Sequence, residues 1–416
     1  MPQHGSPHPP GPVPDGFFAN KDFDFTIRGV LGQARYGAAD VGEVLAAVGP
    51  VRSKDHDGWY QAWLGLGEST AAIADTAADA GHAVSASAAY LRAATYFGAA
   101  VNAVAGLKQS DQLLPTFRRH RAAWDRFVDT SAVTSDRIEI PYEDGTLPGY
   151  VFRPAADGSP RRTLIMVNGS DGAISSLWSG GAAGALERGY NVLLFDGPGQ
   201  QSMLFERNTA FRPDWEAVIT PVVDYLLTRA DVDADRVVIY GVSQAGYWVP
   251  RALAFEHRLR AAIADPGVVD VAASWTAEIP GHLTDLLTDG ASGAKKFDRD
   301  MDLGMKFSAQ TERTWNFRAR PYRQEGYAAT VLAVQQYNLT EVAADIRTPL
   351  LITSPEGEQF WPGQSDRLAA LVGAAATVVP FTAAEGANLH CQPLGRAVTD
   401  QRMFDWLDDH LADRAD

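Results

Sequence analysis

Between positions 236 and 250 the chain reads RVVIYGVSQAGYWVP, and no other stretch narrows its possible folds so far. Val237, Val238 and Ile239 are β-branched and suit a buried strand, Gly241-Val242-Ser243 suits a very tight turn, and Gln244 onward suits a helix. A strand that turns straight into a helix over one serine is a nucleophile elbow. Its backbone is strained, its hydroxyl is presented at the top of a sheet, and the helix N-terminus beside it favours negative charge. Gly241 and Gly246 leave room for backbone passing close by. The usual pattern is G-x-S-x-G; here Ala245 takes the fifth position and the glycine follows one residue later. The competing reading is a glycine-rich turn with an incidental serine.

The flanking sequence predicts an α/β fold. Short apolar runs at 163–167 (TLIMV), 191–195, 261–264, 350–353 and 376–381 read as strands, and helical stretches at 177–188, 213–229, 245–257 and 364–372 separate them. Strand and helix alternating at this spacing predict a mostly parallel sheet flanked by helices on both faces. Residues 138–152 read as a hairpin around Glu143-Asp144-Gly145, opening the sheet. The first third is different. From 57 to 104 it is alanine-rich, with Trp59 and Trp63, and Tyr90, Leu91, Ala94 and Phe97, at helical spacing and a break at Ala80-Gly81. Two further helices are expected near 41–48 and 113–128. The predicted organisation is a disordered tail (1–16), an N-terminal helical domain (17–135), an α/β core (136–267 and 341–416) and a helical cap insertion (268–340).

If Ser243 is a nucleophile, a base and an acid must follow it in the chain. His390, in the loop sequence GANLHCQP, is the preferred base; His4, His8, His56, His82, His120, His257 and His410 sit in the tail, the helical part or near helix ends, and His282 in the cap is the rival. The loop after 350–353 reads SPEGEQFWP and supplies two carboxylates but no Asp. Glu358 is favoured over Glu356, with Asp265 or Asp270 as alternatives from the preceding strand. A carboxylate on the histidine fixes its tautomer and stabilises the imidazolium. Oxyanion donors are expected from the backbone near Ser170 and from Gln244. Gly169, Asp171, Tyr247, Trp248, Trp275 and His282 are candidate pocket residues. Cap residues Phe297, Met301, Met305, Phe307, Trp315 and Phe317 either wall that pocket or bind the cap to the core.

The segments DGPGQ (196–200), GVSQAGYWVPRALAFEHRLRAAIADPG (241–267), PEGEQFWPGQ (355–364) and EGANLHCQPLGRAVTDQRMFDWLD (385–408) resemble the α/β-hydrolase group that includes 2,6-dihydroxypseudooxynicotine hydrolase, the fermentation-respiration switch esterase and fungal polyketide-shortening hydrolases. WYQAW (59–63) and YLRAATY (90–96) resemble the helical domain those proteins carry ahead of the hydrolase fold. The resemblance implies a Ser, an acid and a His cleaving esters, or carbon–carbon bonds beside a ketone. Two departures stand out: Ala245, and Ser354 and Gly357 where aspartates are expected. The second leaves the acid open.

Composition excludes several classes. A formal charge of −15 argues against nucleic acid, which demands a basic track. One cysteine, Cys391, excludes an internal disulfide, no apolar run approaches a membrane span, and MPQHGSPHPPGPVPD lacks signal-peptide order. A cytoplasmic location is therefore expected. Metal and nucleotide motifs are missing, so no metal and no cofactor is expected. The expected partner is a small-molecule substrate, with no nucleic acid, no membrane and a possible homodimer. The function predicted is a serine hydrolase acting on a small, aromatic or polyketide-like carbonyl compound. The alternatives are an acyltransferase or acyl-eliminating lyase on the same fold, a prolyl-oligopeptidase-type peptidase, and a non-catalytic binding protein.

Overall fold

A computed structural model describes residues 16–108 and 111–412. The tail expected at the N-terminus lies, but for Gly16, outside the described residues.

Eight strands form one sheet: β1 (Thr134–Tyr142), β2 (Gly145–Arg153), β3 (Arg161–Val167), β4 (Asn191–Phe195), β5 (Val232–Val242), β6 (Ala261–Asp265), β7 (Leu350–Pro355) and β8 (Ala376–Phe381). Their spatial order is β1-β2-β4-β3-β5-β6-β7-β8. The opening hairpin is antiparallel and pairs antiparallel with β4, and every later pairing is parallel. The inner strands carry apolar residues on both faces because both are covered. Ile165, Val167, Leu193, Phe195, Val237 and Ile239 face one way, onto helices Glu216–Leu227 and Ala245–Leu253. Leu164, Met166, Val192, Leu194, Val238 and Tyr240, one residue out of step, face the other way, onto the N-terminal helices and the C-terminal helix Arg396–Leu411. Each such aliphatic side chain contributes roughly 1.5–3 kcal/mol by leaving water. β5 starts five residues earlier than the apolar run suggests, because Val232 pairs with Arg161 across an irregularity in register.

The N-terminal helices are α1 (Lys21–Gly32), α2 (Val41–Val48), α3 (His56–Asp79), α4 (Ala83–Ala103) and α5 (Leu113–Thr130). Four of these follow the expected positions. The additional helix α1 begins at Asn20, whose side chain accepts from the N–H groups of Asp22 and Phe23, and buries Phe23, Ile27 and Val30 at helical spacing. α4 and α5 also pack on the sheet, so the helical part and the α/β part share a core containing Phe97, Trp124 and Phe152.

α5 also carries a buried titratable group. His120 is fully buried, with Nε2 3.1 Å from Ser175 Oγ. Burial, helped by the neighbouring Arg121, pushes its pKa from 6.5 down to about 3. The folded chain therefore holds a neutral imidazole while the unfolded chain takes a proton below its ordinary pKa. Stability from this group is complete above about pH 6.5 and is lost as pH falls toward about 3, by up to about 1.4 kcal/mol per pH unit. In His120→Gln, the apparent unfolding free energy between about pH 4 and about pH 6 should fall less steeply than in wild type. Equal slopes in urea titrations of the two proteins would assign the acid sensitivity to other groups.

Candidate active site

The elbow is built where β5 meets helix Ala245–Leu253. Ser243 sits at φ 59°, a left-handed conformation that a non-glycine residue adopts only when its surroundings hold it there. The Ser243 N–H donates to the Asp265 carbonyl at 2.6 Å, and its own carbonyl accepts from Gly246 N–H at 2.8 Å. The displaced glycine has a steric cause. A Cβ at position 246 would run into the Pro266 carbonyl oxygen, whereas the Ala245 methyl is wholly buried in the core without conflict.

His390 approaches from the loop before the C-terminal helix. Its Nε2 lies 2.9 Å from Ser243 Oγ, and its Nδ1 lies 2.9 Å from both carboxylate oxygens of Glu358. The two side chains are only 4% and 6% exposed, so water does little to screen them. The loop is shaped by two successive left-handed residues, Cys391 at φ 55° and Gln392 at φ 44°. Cys391 Sγ donates to the Asp265 carbonyl at 3.2 Å, so one backbone oxygen anchors both the serine turn and the histidine loop. Phe360 meets the imidazole edge-on at 4.7 Å, with Trp361 at 5.7 Å. Burial alone would raise the Glu358 pKa. The charge and hydrogen bond of His390, with the N–H groups of Phe360 and Trp361, outweigh burial and hold it below the usual carboxylate value.

The other carboxylates are elsewhere. Glu356 is exposed and accepts from Ala383 N–H at 2.8 Å. Asp265 is buried beneath the site and accepts from Tyr240, Thr353 and Gln392. Asp270 accepts from Ala272 N–H at 3.0 Å, capping a turn. None of these three bonds His390.

Ser170 and Gln244 flank the serine. Among the described residues their backbone N–H groups have no hydrogen-bond acceptor. The Gly169 N–H is already engaged by Asn168 Oδ1 at 2.9 Å. Gly169 also has to be glycine, since a Cβ there would lie 2.7 Å from the Ser243 Cβ. Sequence reasoning missed one brace of this loop. Gln200, 2% exposed, donates to the Asn168 carbonyl at 2.6 Å and accepts from Gly197 N–H at 2.6 Å, tying the DGPGQ turn to the 168–172 loop. A polar residue closing a glycine-rich turn was its only signal.

A cavity of about 400 Å³ opens over Ser243 and His390. Its walls come from the 169–172 loop including Gly169, Ser170 and Asp171, from Phe25 and Gly29 of α1, from Asn102 of α4, and from Phe317 in the cap helix Ala309–Ala319. Trp275 lines an adjoining smaller space with Gln244 and Tyr322. Three expected pocket residues do not line either space. Tyr247 and Trp248 lie one turn into the elbow helix, where the side chains point down into the core: Tyr247 Oη donates to the Pro213 carbonyl at 2.9 Å, and Trp248 stacks on Trp215 at 4.5 Å. His282, on a short cap helix, faces solvent. In the cap, Phe297, Met301 and Met305 form its own small core, and Phe307 is 86% exposed. Among the described residues no group of three or more His, Cys, Asp or Glu is placed to hold a metal ion, and no helix is long and apolar enough to cross a membrane.

The prolyl oligopeptidase family matches residues 182–297, a stretch centred on the elbow. Across nearly its whole length the chain is similar to fungal proteins. It is 30% identical over 419 residues to hydrolase LUC6 of Fusarium sp, covering 96% of this chain and 99% of that protein. It is likewise 30% identical over 419 residues to 20-hydroxy-prefusarin hydrolase FUS2 of Gibberella moniliformis, with the same coverage of 96% and 99%. The crystal structure of 2,6-dihydroxy-pseudo-oxynicotine hydrolase superposes with a TM-score of 0.72 at 20% identity, covering 92% of this chain and 96% of that one, and so shares the fold.

Proposed function

The chain belongs to the α/β-hydrolase family of these fungal relatives, and from that premise we propose that it is a serine hydrolase in which Ser243 attacks the carbonyl of a small substrate. One observation carries this reading: His390 touches Ser243 Oγ through one ring nitrogen and a buried carboxylate, Glu358, through the other. As Ser243 Oγ bonds to the carbonyl carbon, its proton passes to His390 Nε2, and Glu358 balances the imidazolium. The oxyanion would be met by the N–H groups of Ser170 and Gln244. Collapse expels the leaving group, which takes the proton back from His390; water then repeats the sequence and frees the acid. The leaving group is an alcohol in an ester, or a carbanion beside a ketone, where the substrate itself must supply the electron sink.

The cavity supports a compact, aromatic or polyketide-like substrate. About 400 Å³ walled by Phe25, Trp59, Phe317 and Phe360 suits a drug-sized ring system. α1 and the cap helix Ala309–Ala319 both wall the cavity, which disfavours an extended peptide despite the prolyl oligopeptidase match. An alkyl fluorophosphonate should form one covalent adduct, on the peptide containing Ser243, by mass spectrometry. Absence of that adduct, or its appearance on another residue, would remove the covalent mechanism.

A further inference from the structure

Beside the Ser170 and Gln244 N–H groups lies a second space of about 30 Å³, enough for one small polar group and too little for a ring. It adjoins the larger cavity, with Asn102, Ser170, Asp171, Phe317 and Arg318 lining both. Residues of its walls also carry polar atoms that are buried and have no hydrogen-bond partner among the described residues: both side-chain heteroatoms of Gln201, Oδ1 of Asn102 and Nη1 of Arg320. Gln201 is only 3% exposed, so its amide has given up water without replacing it. Buried polar groups are nearly always paired, and several unpaired ones around one space point to something that completes them.

The charges narrow what that is. Arg320 forms no ion pair with a described residue; its guanidinium carbon lies 5.6 Å from the centre of the Phe317 ring. Burial, with no carboxylate opposing it, lowers the Arg320 pKa. Arg318, on the same wall, lies over Trp275 at 5.2 Å. The one acid on these walls, Asp171, is exposed, with Ser170 Oγ 3.4 Å away, and bridges neither arginine. A guanidinium held in a wall without a counter-charge, next to unpaired amides, suits an anionic oxygen ligand.

We propose that this space is a substrate subsite for a carboxylate, with Arg320 supplying the charge and the Gln201 amide N–H a hydrogen bond. The Asn102 amide, turned by half a rotation, presents Nδ2 in place of Oδ1 and adds a second donor. The subsite rests on the serine reading only for the position of the carbonyl, which places the acid on the oxyanion side of the reacting centre. The enzyme then selects keto acids or half-esters over their neutral counterparts.

The test measures binding in Ser243→Ala, so that turnover does not enter. 3-Benzoylpropionate, 4-benzoylbutyrate and 5-benzoylvalerate are titrated calorimetrically against their methyl esters. At least one acid is expected to bind about tenfold or more tightly than its ester, and Arg320→Met in the same background should abolish that preference while Arg320→Lys keeps part of it. Gln201→Leu, which leaves the arginine in place, should reduce the preference independently if Arg320→Met fails to fold. The proposal is overturned if no acid in the series binds better than its ester, or if the preference survives both Arg320→Met and Gln201→Leu. Retained turnover in Ser243→Ala would instead sink the serine mechanism and leave these affinity ratios standing.

Discussion

Ser243→Ala is expected to lower kcat/KM on any accepted ester by roughly 10⁴- to 10⁶-fold, the loss typical of removing a covalent nucleophile. The fold should survive, because what Ser243 contributes structurally comes from its backbone: the N–H to the Asp265 carbonyl and the carbonyl to Gly246. The side chain contributes one hydrogen bond, to His390. Alanine at φ 59° pays about the same conformational cost as serine, so the melting temperature should move little. Turnover and thermal unfolding measured on the same preparation separate the two effects. Near-wild-type turnover would mean that His390 activates water directly and that the elbow serine is a bystander.

The fold was legible because its signals are periodic and local. Asn191–Phe195 is a short apolar run between turn residues, and a strand buried on both faces reads as unbroken apolar sequence; Ala376–Phe381 is a similar run at the sheet edge, where only Phe381 is buried. Helix α1 carried the same kind of signal in Phe23, Ile27 and Val30, yet its charged neighbours Lys21, Asp22 and Asp24 dilute the apolar character of the stretch. Orientation was harder. Tyr247 and Trp248 follow the serine closely in sequence, but a helix turns about 100° per residue, and within one turn those side chains face away from the cavity, Trp248 into the stack with Trp215 and Tyr247 against Tyr337. His282 failed for another reason: the cap has its own core around Phe297, and only part of the insertion reaches the cavity.

Residue types at the candidate site were also readable, but their depth was not. Gln200 and Gln201 are adjacent, and sequence cannot separate their fates. The first is fully hydrogen-bonded as a brace between two loops, while the second is left unpaired in a cavity wall. Asp265 looked like a plausible acid because it ends a strand beside the elbow. Its side chain is consumed by Tyr240, Thr353 and Gln392, and its backbone oxygen instead anchors the two loops that meet at the site. Three-dimensional saturation of hydrogen bonds decided both cases, and no linear spacing encodes it.

Glu358→Gln is expected to reduce kcat by roughly 10²- to 10⁴-fold, against a change within about twofold for Glu356→Gln. The contrast follows from what each carboxylate touches. Glu358 is 6% exposed and faces His390 Nδ1 with both oxygens, so in the proposed mechanism its charge fixes the tautomer in which Nε2 is free to take the serine proton. Glutamine keeps the shape and can still accept from the Phe360 and Trp361 N–H groups. Its amide N–H₂, however, turned toward Nδ1, favours the opposite tautomer, and the compensating charge is gone. Glu356 accepts one backbone N–H from Ala383 at an exposed position, and glutamine preserves that bond. The pH dependence has a defined sign as well. Because the folded-state pKa of Glu358 lies below its ordinary value, the stability it contributes is present at neutral pH and is lost as pH falls through the folded pKa. Glu358→Gln should lack that component of acid sensitivity. Equal, small losses in the two variants would remove Glu358 from the mechanism, and a larger loss in Glu356→Gln would require the loop to rearrange before catalysis.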